Sequence, residues 1–140
     1  MRGKSIDELT VGDVAEFSKT VSESDIYLYA GITGDFNPAH IDEAYASGTF
    51  FKTRIAHGML SAGFISTVIG TRLPGAGTIY LKQDLNFRAP VRIGDTVTAR
   101  AEIVEIVREK KRVRIQTTCT NQEGTVVLDG EALVSPPKGA

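Results

Sequence analysis

The sequence predicts an α+β fold in which a curved antiparallel sheet wraps around one central buried helix. Three observations carry this prediction. Beyond residue 77, apolar residues recur with a period of two through four consecutive segments, as half-buried strands require. Residues 57–73, "HGMLSAGFISTVIGTRL", form the longest apolar stretch and have almost no charged face, the pattern of a helix covered on nearly all sides. At 140 residues the chain is long enough for one core and too short for two comfortable ones, so helix and sheet must bury each other.

The elements follow in order. Residues 1–13 read as a polar lead-in ending in a "VGD" turn. "VAEFSKT" (14–20) alternates as a short strand, with Ala15, Phe17 and Lys19 on one side. Ser22, with Asp25 three positions later, is an N-cap pair, and Ile26, Tyr29, Ala30 and Thr33 follow at helical spacing until Gly34 stops the helix. "DEAYASGTFF" adds a short second helix, which Asp42 can cap. After the apolar helix, Pro74 and the glycines of "LPGAG" break the chain. The strand stripes are Ile79, Leu81, Leu85 and Phe87; then Val97, Ala99, Ala101 and Ile103; then Val113, Ile115, Thr117 and Cys119; then Val126, Leu128, Ala132 and Val134. Short polar turns between them imply an antiparallel meander with one wet face. A single domain over 1–140 results, with 135–140 as a frayed tail.

Composition narrows the function. A formal net charge of −1 offers no field for nucleic acid or an anionic membrane. The one basic cluster, "REKKRVR" (108–114), contains Glu109 and reads as the solvated tip of a hairpin. No run approaches the ~18 apolar residues of a membrane span. The N-terminal residues lack the pattern of a signal peptide. Cys119 stands alone, without a disulfide partner or zinc spacing, which suits a reducing, cytoplasmic compartment. One chain of this size hardly covers both the helix and the sheet edges, so a homodimer is expected.

The polar segment "GITGDFNPAHID" (31–42) places Asp35, Asn37, Pro38 and His40 within six positions. Turn chemistry accounts for these residues without any catalysis: Asx-type hydrogen bonds after a helix, then a proline that stops its continuation. Catalysis would instead require Asp35 and His40 to meet at one atom. The chain has only one other imidazole, His57, just ahead of the apolar helix.

"YAGITGDFNPAHIDEAYA" resembles the signature segment of the MaoC-like (R)-specific enoyl-CoA hydratases, the hydratase 2 family. The match runs through Gly34, Asp35, Asn37, Pro38, His40 and Ala46. "RIAHGMLSAGFIS" is similar to the start of that family's central helix, and "LPGAGTIYLKQDLNFRAPVRIGDTV" to the strands that follow. The resemblance covers nearly the whole chain in the same order. It implies the hot-dog fold and a hydro-lyase that hydrates trans-2-enoyl-CoA to (R)-3-hydroxyacyl-CoA reversibly.

By that resemblance Asp35 and His40 are the catalytic pair that activates water, and Asn37 orients the water or fixes the loop. The Gly58 N–H would receive the developing charge of the thioester oxygen, and Ser66 would support the pair. Met59, Ser66 and Ile69 are spaced to share one helix face with it. His57 is expected to shape the turn before the helix. No metal and no separate cofactor are implied, because coenzyme A is part of the substrate; coenzyme A is expected ahead of acyl carrier protein as the carrier. Two other readings remain open on the residues: a hot-dog thioesterase, and a subunit of a heterodimeric 3-hydroxyacyl thioester dehydratase. Residues 57–73 contain no Asp or Glu, which weighs against the thioesterase.

Overall fold

Alternating burial sets the sheet. In the computed structural model, which describes residues 2–139, Val97, Ala99, Ala101 and Ile103 are fully buried on one strand, and Val113, Ile115, Thr117 and Cys119 on the next. The described elements are β1 (Val14–Thr20), α1 (Glu23–Thr33), α2 (Pro38–Ile41), α3 (Glu43–Ser47), α4 (Gly58–Thr71), β2 (Ile79–Gln83), β3 (Asn86–Phe87), β4 (Thr96–Val107), β5 (Arg112–Thr120) and β6 (Val126–Ser135). The strands form one antiparallel sheet in the order β1-β4-β5-β6-β2, with β3 also paired to β6. α4 packs against β1, β4, β5 and β6, and its Phe64, Ile65, Val68 and Ile69 join the inward stripes in one hydrophobic cluster. This is the sheet-around-helix arrangement expected of the hot-dog fold.

Four details depart from the sequence reading. The meander is three strands, β4-β5-β6, rather than four, because β2 and β3 cross over to pair with β6 instead of with their neighbour β4. Gly130 on β6 permits that crossing: any Cβ there would collide with the Asp84 carbonyl between β2 and β3. The lead-in is not merely polar, since Leu9 joins the core and Ser5 is buried. The tail does not fray where it was expected to. β6 continues through Ser135 and both prolines after it are buried, while residue 140 lies outside the described residues. Finally, α4 is covered on one side only. Met59, Gly63, Ser66 and Gly70 lie exposed along its outer face, because a single sheet can cover only one side of a helix.

The segment leading to the site follows its capping chemistry closely. Ser22 accepts from the Asp25 N–H at 3.1 Å and Asp25 returns the bond to Ser22 N at 2.9 Å, a capping box. Gly34 closes α1 at φ 83°, a left-handed cap that favours glycine. The chain then turns at once, so residues 35–40 lie beside the start of α4.

Candidate active site

Pro38 does not block a helix here; it starts one. Asn37 caps α2 by accepting from the Ala39 N–H at 3.0 Å, and Pro38 occupies the first turn, where its missing N–H costs nothing. This one-turn helix carries His40. Asp42 then caps α3 through the Tyr45 N–H at 3.2 Å, as the spacing predicted. Asn37 therefore spends its carbonyl oxygen on the local backbone.

His40 and Asp35 come together. One ligand atom each from Asp35, His40 and His57 lies within 4.8 Å of the others. The His40 Nδ1 sits 2.7 Å from the Ile55 carbonyl oxygen, which can only accept, so Nδ1 carries the proton and Nε2 keeps a free lone pair. Asp35 has one oxygen engaged by the Asn37 N–H at 3.2 Å. Burial lowers the His40 pKa, as does the adjacent His57. The Ile55 carbonyl and the Asp35 charge pull it back upward, and the net shift is down from 6.5.

His57 underlies both residues. Its ring, 2% exposed, is stacked 3.9 Å from His40 at 31° and 4.6 Å from Tyr29. Its Nε2–H donates to the Asp35 backbone carbonyl at 2.9 Å, while Nδ1 has no partner among the described residues. His57 thus does more than shape the helix entry: it ties the Asp35 loop to the start of α4. The three side chains are a group that could hold a metal ion among the described residues, each ring keeping one nitrogen off the carbonyl that the other nitrogen faces. The arrangement suits proton transfer.

A cavity of about 370 Å³ opens beside His40. Gly58 and Ser61 line it from α4, Phe87 and Val91 from the β3–β4 segment, and Val127 and Leu128 from β6. Gly58 is the first residue of α4, whose N-cap His57 makes no side-chain cap, so the positive end of the helix is left open at the cavity. A Cβ at Gly58 would sit 2.6 Å from the Phe87 ring. Asp35 is not itself among the lining residues but lies beside His40, which is.

Ser66 does not join this group. It is exposed on the outer face of α4 with Met59, whereas Ile69, one turn on, is already turned under the sheet and buried. The α4 serine that lines the cavity is Ser61, which the sequence did not single out. Its signal was present: Ser61 is the polar residue in phase with Phe64, Ile65 and Val68.

Comparison with known proteins gives concordant results. The family described as "MaoC like domain" matches residues 8–126. An (R)-specific enoyl-CoA hydratase of Rhodospirillum rubrum is 60% identical over 131 residues, covering 94% of this chain and 90% of that protein. A 3-hydroxybutyryl-CoA dehydratase of Methylorubrum extorquens is 52% identical over 132 residues, covering 94% of this chain and 83% of that protein. The unliganded structure of R-hydratase PhaJ1 from Pseudomonas aeruginosa superposes with a TM-score of 0.93 at 47% identity, covering 98% of this chain and 88% of that one.

Proposed function

The chain belongs to the MaoC-like domain family, and on that premise we propose that it is a hydro-lyase acting on trans-2-enoyl-CoA. It adds water to give the (R)-3-hydroxyacyl-CoA and runs the dehydration in reverse. The observation that carries the reading is the convergence of the Asp35 carboxylate and the free Nε2 of His40 beside a cavity that Gly58 also lines. The names of the relatives from Rhodospirillum rubrum and Methylorubrum extorquens, a hydratase and a dehydratase of CoA thioesters, support both directions of one reaction.

The chemistry follows from those groups. Water, with an unperturbed pKa of about 15.7, needs a base as it attacks C3. His40 Nε2 accepts one water proton while Asp35 holds the same water by its second hydrogen. The C2=C3 electron pair moves to the thioester oxygen, and the resulting negative charge meets the Gly58 N–H at the N-terminus of α4. The enolate collapses by taking the proton from His40 at C2. Hydroxyl and hydrogen thereby add to the same face, with no other reactant. Asn37 keeps the loop in shape through its cap on α2.

Asp35→Asn and His40→Ala are expected to lower hydration of crotonyl-CoA by roughly 10²- to 10⁴-fold with the fold unchanged by circular dichroism. Loss of the enoyl-thioester ultraviolet absorbance measures the rate, and chiral analysis of the product measures the configuration. Near-normal rates in both variants, or an (S) product, would overturn the assignment.

The exposed face of α4 and the edge strand β2, with Ile79 and Leu81 open to solvent, support a homodimer as the working assembly.

A further inference from the structure

We propose that Arg54 is a positioning residue: its guanidinium fixes the Ile55 carbonyl that holds the His40 proton on Nδ1. The inference rests on the enoyl-thioester reading above, in which the free Nε2 of His40 is the base. Residues 52–57 run between α3 and α4, and among them only Ile55 makes a strand-like bridge, to Arg92. Sheet pairing pins this one point, and side chains hold the rest. Glu43 on α3 accepts from the Thr53 hydroxyl at 2.6 Å and from the Arg54 N–H at 2.9 Å. The Arg54 side chain, 12% exposed, reaches α1. One terminal nitrogen donates to the Tyr27 hydroxyl at 2.9 Å, the other lies 3.4 Å from the Glu23 carboxylate, and the guanidinium sits 5.7 Å over the Tyr27 ring. The Tyr27 hydroxyl in turn donates to Glu23 at 2.7 Å, which closes the set.

Arg54 Nε is buried with no partner among the described residues. A buried charge with an orphaned donor is a poor source of stability, and a well-packed apolar side chain would serve the fold as well. What Arg54 supplies is fixed geometry, because its planar fork meets two acceptors on one helix and restrains the chain at the next residue. That residue is Ile55. Its N–H donates to the Ala39 carbonyl at 3.2 Å, and its carbonyl takes the His40 Nδ1–H at 2.7 Å. Which nitrogen of a neutral imidazole carries the proton is set by the hydrogen bond that the ring makes. Once the Ile55 carbonyl swings away, the Nε2–H tautomer of His40 becomes populated, and that form offers no lone pair to water at the site. Arg54 is not among the residues lining the cavity, so it acts through His40 and not on the substrate.

The test uses Arg54→Met, which keeps an apolar stem and removes every side-chain donor, and Tyr27→Phe, which removes one acceptor. For crotonyl-CoA, kcat is expected to fall roughly 10- to 100-fold in Arg54→Met and less in Tyr27→Phe, with KM nearly unchanged. Nitrogen NMR on protein carrying isotope-labelled histidine, at alkaline pH, reads the tautomers directly, and His40→Ala assigns the signals. Native His40 should show the Nδ1–H form, and both variants a growing share of Nε2–H. His57, whose Nε2–H faces the Asp35 carbonyl, should keep its form throughout. A purely structural role would lower the melting temperature and leave the His40 tautomer in place. A His40 tautomer unchanged in both variants overturns the inference, as does an unchanged kcat in Arg54→Met. Should Arg54→Met fail to fold, Tyr27→Phe decides by the same two readouts. Failure of the native chain to hydrate crotonyl-CoA would instead overturn the reaction, with the tautomer comparison still deciding what Arg54 holds in place.

Discussion

Two imidazoles occupy the site, and the backbone carbonyl that each one faces decides where its proton sits. The Ile55 carbonyl takes the His40 Nδ1–H and leaves Nε2 with a free lone pair, while the Asp35 carbonyl takes the His57 Nε2–H. Since the His40 pKa is lowered, first by burial, the acid limb of kcat/KM should have its midpoint below the ordinary histidine value of 6.5. A pH–rate profile with crotonyl-CoA checks this, and a midpoint above 6.5 would contradict it. The same shift links to stability. Between the folded and unfolded pKa values the unfolded chain binds more protons, so the contribution of His40 is complete above ~6.5 and is lost as pH falls through the lower folded value. Cys119 lies at the other extreme of reactivity. Burial pushes its thiol up to about 12, so the native protein should resist iodoacetamide and react only after denaturation, as mass spectrometry would record.

Among the elements, α2 and α4 set the site because of how each begins. α2 is a single turn that Asn37 and Pro38 start, although Pro38 in the sequence reads as a signal to stop. Both readings use proline's fixed φ; only the direction of the following chain tells them apart. α4 begins without a side-chain cap, and the residue there must be small. Gly58→Ala would press its methyl against the Phe87 ring and drive that ring into the cavity. The expected outcome is a rise in KM and a fall in turnover of at least tenfold, with the melting temperature little changed, since Phe87 is exposed and can move. Normal kinetics in Gly58→Ala would show that the Phe87 ring yields to the methyl without entering the cavity, because alanine keeps the backbone N–H at this position. Ser66 shows how little a helical repeat reveals about neighbours. Spacing put it in line with Met59 correctly, but only the position of the sheet shows that this face is turned outward.

For the whole molecule, the open surfaces belong together. β2 is an edge strand with Ile79 and Leu81 exposed, and α4 exposes small residues along its outer side. Sedimentation should give twice the mass of one chain, and Ile79→Lys combined with Leu81→Lys should shift it toward the monomer; a native monomer would remove the homodimer. Local chemistry was enough to read the inward stripes of β4 and β5, the capping box of α1, the Gly34 stop and the apolar run of α4, because periods of two and 3.6 and side-chain caps are properties of neighbouring residues. The resemblance of the 31–42 segment pointed to Asp35 and His40 for the same local reason. The crossing of β2 and β3 to β6, the imidazole stack of His40 on His57 and the approach of Ser61 to the cavity join residues far apart in the chain. Those contacts depend on which strand pairs with which and on how α4 sits in the sheet, so no local period encodes them. Packing alone turns a short polar loop and the start of a distant helix into one site.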